Sequence, residues 1–165
     1  MDYIKRFMEN VFLKLNEQYP AILITGPRQV GKTTMLQKLT EIEGRNRHYV
    51  SLDDLNVRAL AKSDPAMFFQ IHQPPLFIDE VQYAPELFTY IKISVDRNYR
   101  PGDFWMTGSQ LFKLMHGVQE SLAGRVALLH LSPLSQHEIY RGQPGEFSLD
   151  LATLRKKQAA IPAAT

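Results

Sequence analysis

Short apolar runs alternate with stretches of helical apolar spacing along most of the chain. Continuous apolar runs are typical of strands buried on both faces of a sheet. The stretches between them repeat apolar residues every three or four positions, as a helix with one buried face does. This alternation predicts an α/β fold with a mainly parallel sheet. The predicted strands are Ala21–Ile24, His48–Leu52, Leu76–Ile78, Phe104–Met106 and Val126–Leu131.

Capping residues divide the helical stretches. Asp64 before Pro65 predicts a helix that begins at the proline, and Ser135 with Glu138 has capping-box spacing. Gly44 is expected to end the helix before it, and the pair Asp53-Asp54 is best explained as a cap for the helix after it. The predicted helical stretches cover residues 4–15, 35–42, 57–61, 65–69, 85–95 and 111–115, with a last one from Ser135.

Polar residues follow four of the predicted strands. In open parallel sheets, ligands bind at the carboxyl ends of the strands. The sequence therefore predicts one site at that edge of the sheet. The residues at the strand ends are Thr25-Gly26, Asp53-Asp54, Asp79-Glu80 and Thr107-Gly108-Ser109.

The segment after the first strand fits the phosphate-binding pattern G-x-x-x-x-G-K-[ST]. Its glycines let backbone N–H groups face phosphate oxygens, and the following helix directs its positive end at the same anion. We expect Lys32 to reach the β- and γ-phosphates and Thr33 to bind Mg²⁺. The predicted nucleotide-binding residues are Gly26, Pro27, Arg28, Gln29, Val30, Gly31, Lys32, Thr33 and Thr34.

Two adjacent carboxylates, Asp79 and Glu80, end the third predicted strand. In a P-loop fold an acidic residue at this position holds Mg²⁺, a role we assign to Asp79 with Thr33. Glu80 can accept a proton from water as a general base. Solvated acids or a helix cap would give the same short pattern, but its place after the phosphate-loop unit favours a site.

Four further residues have weaker support. Thr107 and Ser109 share one face of the fourth strand because of its two-residue period. We favour Ser109 as a contact for the γ-phosphate or the attacking water, although polar residues are ordinary at strand ends. Arg28 and Arg125 are candidates for stabilising phosphate charge, and each is equally explained as a surface or packing residue.

Composition narrows the function classes. The 165 residues suit one folded domain, and 19 basic residues against 17 acidic ones do not indicate nucleic acid. The absence of cysteine excludes disulfides and thiolate metal sites. The histidines lack metal-ligand spacing, and no apolar run approaches the roughly 20 residues of a membrane span. We therefore expect a cytoplasmic protein without a membrane partner.

The motifs in combination resemble the prokaryotic predicted ATPases of the AAA+ superfamily. The resemblance covers most of residues 3–140 and includes Ser121–Arg125 and Pro133–Ser135. It implies a three-layer P-loop NTPase sandwich with a five-stranded sheet in the order 5-1-4-3-2, and ATP with Mg²⁺ at the residues assigned above. It also suggests Arg125 as an arginine for phosphate or for a neighbouring subunit. We therefore expect the chain to form a homo-oligomer or to bind an unidentified protein partner.

The chain is expected to divide near residue 140. Residues 1–140 form the predicted ATPase domain, whereas apolar periodicity is lost from Gly142 onward. Residues 141–165 are therefore expected to be a tail. Members of the resembled family usually carry a second, C-terminal domain, so the same residues are also explained as the start of a truncated one.

The leading hypothesis is hydrolysis of Mg·ATP to ADP and phosphate to drive a conformational switch. A P-loop kinase or other phosphotransferase would share Lys32, Thr33 and Asp79. It would also need an acceptor pocket and a mobile lid. A non-hydrolysing module, in which ATP occupancy changes partner binding, is the third hypothesis.

Overall fold

The computed structural model describes residues 3–109, 118 and 121–140. The strands are Ala21–Thr25 (β1), His48–Ser51 (β2), Leu76–Asp79 (β3), Phe104–Gly108 (β4) and Val126–His130 (β5). The helices are Met8–Asn16 (α1), Lys32–Glu43 (α2), Leu55–Ser63 (α3), Pro65–Ile71 (α4), Leu87–Arg97 (α5) and Gln136–Ile139 (α6), and a 3-10 helix, Val81–Tyr83, follows β3. The predicted helix at 111–115 and the predicted tail at 141–165 lie outside the described residues. None of the helices in the described part is long and apolar enough to cross a membrane.

The strands form one parallel sheet in the order β2-β3-β4-β1-β5. This is the expected order 5-1-4-3-2 read from the other side, so the fold class is confirmed. The register pairs Thr25 of β1 with Gly108 of β4, and Ser51 of β2 with Asp79 of β3. The last residues of neighbouring strands therefore meet at one edge, which we call the carboxyl edge.

Apolar side chains are buried on both faces of the sheet, which gives the domain three layers. In β1, Ala21 and Leu23 belong to the core that includes residues of α3, α4 and α5. Ile22 and Ile24 belong to the opposite core with α1 and α2. Successive side chains of a strand point to opposite faces, so both faces must be apolar. This explains why the central strands β1, β3 and β4 are buried and largely apolar, whereas the outer strands β2 and β5 have exposed positions.

Capping residues set several helix ends where the sequence predicts them. Of the two acids expected to cap α3, Asp54 does so, and Asp64 caps α4 with the same kind of bond to a backbone N–H. Ser135 and Glu138 form the predicted capping box at α6. Gly44 follows α2 with a φ of 70°. These ends are local in sequence, which makes them predictable.

Helix α1 begins at Met8, later than the predicted start at residue 4. The Arg6 N–H donates to Glu9 Oε1 at 2.6 Å, and the Phe7 N–H donates to Glu138 Oε1 at 3.0 Å. Side-chain acceptors thus take up N–H groups before the first helical residue. Because one acceptor lies on α6, apolar spacing alone could not locate this boundary.

A buried polar contact links α1 to β4. Trp105 is fully buried, and its Nε1 donates to Asn16 Oδ1 at 2.6 Å. The ring of Phe12 meets the Trp105 ring edge-on, with 4.8 Å between centroids. Gly102 lies against this contact, because a Cβ there would be 2.6 Å from Asn16 Oδ1. Glycine at 102 therefore leaves room for the partner that a buried indole N–H requires.

We expect Gly102→Ala to destabilise the domain more than Gly44→Ala. Both glycines have positive φ, 77° and 70°, so both substitutions strain the backbone. At Gly44 an added Cβ meets no atom within 4 Å, whereas at Gly102 it displaces Asn16 and leaves the Trp105 N–H unpaired. A buried unpaired donor costs about 1–3 kcal/mol. Denaturant titration gives both free energies of unfolding, and equal losses would contradict the role of the Asn16–Trp105 bond.

Candidate functional site

The predicted phosphate loop, residues 26–33, leaves β1 at the carboxyl edge and enters α2. Three of its residues have positive φ: Gly26 at 142°, Gln29 at 63° and Gly31 at 92°. A Cβ at Gly26 would lie 2.2 Å from the carbonyl oxygen of Leu131. Only glycine therefore fits where the loop passes the chain leaving β5, and the loop curls back over the end of the sheet.

The first turn of α2 presents free backbone donors. The first hydrogen bond from the helix into the loop runs from the Met35 N–H to the Gly31 carbonyl, at 2.9 Å. Within the described residues, the N–H groups of residues 31–34 have no backbone acceptor, as expected for the start of a helix. The turn also contains no acidic residue. Free donors and the positive end of the helix together make an anion-binding site.

Lys32 lies inside the loop. Its side chain is buried, and Nζ donates to the carbonyl oxygens of Gly26 at 3.1 Å and Pro27 at 2.7 Å. Burial lowers the pKa of Lys32, while the carboxylates of Glu80 and Asp79 act in the opposite direction. An anion bound in the loop would stabilise the charged ammonium further, because opposite charges favour the ionised form.

Asp79, at the end of β3, accepts hydrogen bonds from three hydroxyl groups on different elements. Thr33 Oγ1 on α2 donates to Asp79 Oδ1 at 2.9 Å, and Tyr49 OH on β2 donates to Oδ2 at 3.2 Å. The hydroxyl of Thr107 on β4 donates to Oδ1. Burial, with the charge of Asp79, raises the pKa of Tyr49 to about 12, so Tyr49 is a donor at neutral pH. The sequence paired Thr33 with Asp79, and the structure brings them into contact.

Glu80 follows Asp79 in a strained conformation. Its φ of 57° is in the left-handed region, which costs a non-glycine residue about 1–3 kcal/mol and is concentrated at functional sites. Its N–H donates to Thr107 Oγ1 at 3.2 Å. Its carboxylate accepts from Ser109 Oγ at 3.3 Å and from the side-chain amide of Gln82. The turn at Glu80 therefore directs this carboxylate toward the end of β4.

Thr107 and Ser109 both contact the acidic pair, but in different ways. Thr107 is fully buried and bonds to Asp79, whereas Ser109 is partly exposed and bonds to Glu80. Their shared strand face, predicted from the two-residue period, accounts for this arrangement. Sequence reasoning favoured Ser109 alone and did not assign the structural contact of Thr107.

Gln82 was missed by sequence reasoning. It is buried, its Oε1 accepts from the Ser109 N–H at 3.3 Å, and its Nε2 donates to Ser109 Oγ at 3.3 Å as well as to Glu80. The available signal was its place two residues after Glu80. That spacing carries no chemistry until the 3-10 helix turns the side chain back toward β4.

The two candidate arginines lie in different places. Arg28 is exposed on the phosphate loop, and its Nη2 donates to Tyr83 OH at 3.4 Å. Arg125 precedes β5, at the amino ends of the strands and away from the carboxyl edge. There its Nε donates to Asp96 Oδ1 at 2.6 Å. The length of β5 separates Arg125 from the carboxyl edge, so the structure does not bring it to the phosphate loop of its own chain. A contact with a neighbouring subunit stays a prediction.

A pocket of about 590 Å³ adjoins the phosphate loop. Segments that are distant in sequence form its walls, so no local pattern indicated it. Its position beside the free donors of α2 suits a group attached to a bound phosphate chain. Residues that line it include Tyr3, Ile4, Arg6, Val30, Gly31 and Leu134.

Comparison with known proteins assigns most of the chain to one family. The family model described as an AAA domain matches residues 18–140. An uncharacterized protein of Mycobacterium bovis is 37% identical over 121 residues, which are 73% of this chain and 26% of that protein. An uncharacterized protein of Mycobacterium tuberculosis matches with the same values. The chain thus spans about a quarter of the length of these relatives.

Solved structures share the fold at low sequence identity. A Walker-type ATPase of Pyrococcus abyssi matches with a TM-score of 0.59 and 18% identity, over 83% of this chain and 56% of that one. A DNA replication initiation factor matches with 0.55 and 15%, over 95% and 50%. The Thermotoga maritima RuvB Holliday junction branch migration motor matches with 0.55 and 20%, over 84% and 49%.

The family match rests on the segment that contains the phosphate loop, the acidic pair and all five strands. The parallel sheet order and the structural neighbours agree with it. This chain belongs to the AAA domain family, and it has the fold of the solved Walker-type ATPase.

Proposed function

We propose that this chain binds ATP with Mg²⁺ and hydrolyses it to ADP and phosphate, and that the reaction drives a conformational switch. The observation that carries the proposal is the convergence of Lys32, Thr33, Asp79 and Glu80 at the carboxyl edge. These four residues provide a phosphate-binding cation, two oxygen ligands for a metal and a general base. The AAA family match supports the same class of reaction.

Nucleotide binding is assigned to the phosphate loop and the adjoining pocket. The free N–H groups of residues 31–34 and the ammonium of Lys32 belong to the same loop and first helical turn, and both suit phosphate oxygens. The pocket beside Gly31 and Thr34 has the volume for the nucleoside part. We assign adenine as the base on the strength of the family.

The residues present fit a magnesium ion. Thr33 Oγ1 and Asp79 Oδ1 are oxygen donors 2.9 Å apart, so one ion can contact both groups or their bound waters. Mg²⁺ prefers such hard oxygen ligands and keeps several sites for water and phosphate. When bound, the ion would neutralise phosphate charge that develops during transfer. The hydroxyls of Tyr49 and Thr107 hold the Asp79 carboxylate in place.

Glu80 is assigned as the base that orients the attacking water. Its carboxylate lies beside Ser109, which can contact the water or the γ-phosphate. Gln82 donates to the same carboxylate and restricts its orientation. Arg28 lies on the phosphate loop and donates to Tyr83 OH at 3.4 Å, and we assign it, among the arginines of the described residues, to phosphate charge.

Arg125 is proposed to act on a neighbouring subunit. Its side chain is about one-third exposed, pairs with Asp96 at 2.6 Å and lies at the end of β5 away from its own phosphate loop, so we assign it to the phosphates of another molecule. A homo-oligomer in which Arg125 contacts the phosphates of the next copy would meet this requirement. We place the reaction in the cytoplasm, as the cysteine-free composition suggests.

We expect Glu80→Gln to keep affinity for Mg·ATP and to reduce phosphate release at least about a hundredfold, the usual contribution of a general base. The amide has nearly the shape of the carboxylate but cannot accept the proton. Phosphate release and nucleotide binding are measured on both proteins. Glu86→Gln, at an exposed glutamate before α5, serves as the control. Wild-type turnover in Glu80→Gln would contradict the base assignment, and binding without turnover in the unsubstituted chain would leave a non-hydrolysing module.

We expect Lys32→Ala to weaken Mg·ATP binding about tenfold or more. The ammonium is buried in the loop, and a hydrogen bond to a charged group contributes roughly 1.5–3 kcal/mol. Calorimetric or fluorescence titration measures the affinity. Lys62→Ala removes an exposed lysine from α3 and should bind like the parent chain. Equal affinities in the two variants would remove Lys32 from the binding site.

We expect Thr33→Val to raise the Mg²⁺ concentration required for half-maximal turnover about tenfold, in the range seen when metal-site hydrogen bonds are removed. Valine keeps the shape of threonine without the oxygen ligand. A magnesium titration at saturating nucleotide measures the effect. Thr40→Val is the matched control, because the Thr40 hydroxyl bonds only to the Leu36 carbonyl of the same helix within the described residues. An unchanged magnesium dependence in Thr33→Val would rule out Thr33 as a ligand.

A further inference from the structure

Arg6 is a buried arginine that touches the phosphate loop from outside the family-matched segment, residues 18–140. Its Nη1 donates to the Val30 carbonyl at 2.8 Å and its Nη2 to the Ser132 carbonyl at 2.6 Å. Its Nε donates to Glu138 Oε1 at 3.0 Å. One guanidinium thus joins the segment before α1, the phosphate loop and the chain that enters α6.

The bond from Arg6 to the Val30 carbonyl fixes the direction of a backbone N–H group that would bind phosphate. In a planar trans peptide, the carbonyl of one residue and the N–H of the next point in opposite directions. Since Arg6 holds the Val30 oxygen on its own side, the Gly31 N–H points away from Arg6. The Thr34 N–H does not bind the Val30 oxygen, as it would four residues back in a continuing helix, because Gly31, with a φ of 92°, precedes the first helical residue. Both N–H groups lack a backbone acceptor among the described residues.

The charge of Arg6 is already paired. Burial raises the pKa of Glu138, but hydrogen bonds from Ser135, Phe7 and Arg6 outweigh it and lower that pKa to about 2. The carboxylate is therefore ionised at neutral pH, 3.0 Å from the Arg6 Nε. A guanidinium neutralised in this way adds little attraction for a distant phosphate. Its effect on the loop is geometric.

The three hydrogen bonds to Val30, Ser132 and Glu138 require an arginine at position 6. Three acceptors from three segments lie around one planar group, and the fixed fork of a guanidinium can serve all three at once. A lysine has its donors on a single nitrogen and would have to give up part of the set. This distinction makes the role testable by a conservative substitution.

We propose that Arg6 is a positioning residue for the phosphate loop, and that it holds the Val30 carbonyl so that the Gly31 N–H of the same peptide faces the phosphate side of the loop. The inference rests on the proposed nucleotide-binding function and extends the site to the segment before the family-matched domain. Arg6 contacts no phosphate in this assignment. It acts through the loop backbone.

The test compares Arg6→Gln and Arg6→Lys with a control at Arg47. Arg47 is also buried, pairs with Glu43 at 2.7 Å and donates to the Gly102 carbonyl at 2.8 Å. Arg47 directly precedes β2 and so lies at the amino ends of the strands, away from the phosphate loop at their carboxyl ends. Arg47→Gln therefore removes a similar buried ion pair and carbonyl contact without touching the loop.

Binding of Mg·ATP, Mg·ADP and adenosine is titrated on each folded variant, and thermal unfolding is recorded alongside. We expect Arg6→Gln to weaken Mg·ATP and Mg·ADP binding at least about tenfold, which corresponds to about 1.4 kcal/mol. Adenosine binding should fall less than Mg·ATP and Mg·ADP binding, since adenosine has no phosphate for the loop to bind and meets Arg6 only as part of the pocket wall. Arg6→Lys should lie between the parent chain and Arg6→Gln. Arg47→Gln should lower the unfolding temperature while keeping the parent affinities.

Two results would overturn the proposal: parent-like Mg·ATP affinity in Arg6→Gln, or equal losses in Arg6→Gln and Arg47→Gln. Equal losses for adenosine and ATP would also overturn it, because they would indicate a general defect of the fold. If Arg6→Gln does not fold, Arg6→Lys carries the same comparison. Failure of the proposed function is recognised separately, since the parent chain and Lys32→Ala would then both fail to bind Mg·ATP.

Discussion

The structure depends on the parallel register of β1, β3 and β4. The register pairs Ile24 with Thr107 and Ile78 with Met106, so the three strands end at one level. The loop after β1, the acidic pair after β3 and the hydroxyls at the end of β4 therefore lie within hydrogen-bond distance of one another. Hydrogen bonds between parallel strands fix this alignment, and burial of apolar side chains on both faces fixes the register. The chemistry of the site follows from that constraint.

The Asp79 carboxylate is the centre of the polar network at this edge. Hydroxyls from α2, β2 and β4 donate hydrogen bonds to it, so three elements together fix its position. Thr107 is fully buried, so its hydroxyl would be costly to leave without this partner. A second set of bonds connects Glu80 with Gln82 and Ser109. The metal-binding and base functions are thus assigned to neighbouring carboxylates with separate supports, which allows substitutions to affect one function at a time.

Two features set the conformation of the phosphate loop: its glycines and a hydrogen bond from the buried side chain of Arg6. Gly26 permits the close approach to the Leu131 carbonyl, and Arg6 binds the Val30 carbonyl. The first contact is set by backbone dihedrals, whereas the second is set by a side chain from the start of the described chain. Both leave the N–H groups of the first turn of α2 to an external anion. Arg6 also binds Glu138, so the loop and the entry to α6 share one buried contact.

The sequence by itself determined the strands and several helix ends, and it predicted the four candidate residues Lys32, Thr33, Asp79 and Glu80. Those features depend on local spacing: apolar period, capping residues, and glycines around a lysine. The strand order came from the family resemblance, because periodicity does not say which strands pair. Only the tertiary structure decided which side chains support the site. Tyr49 and Arg6 reach it across long sequence separations that no local pattern encodes. Gln82 is only two residues from Glu80, but it contacts Ser109 because the 3-10 helix turns its side chain toward β4. The structure also showed the partner of Arg125, which is Asp96. Arg125 precedes β5 and is therefore far from its own phosphate loop, since the two ends of a strand lie at opposite edges of a sheet.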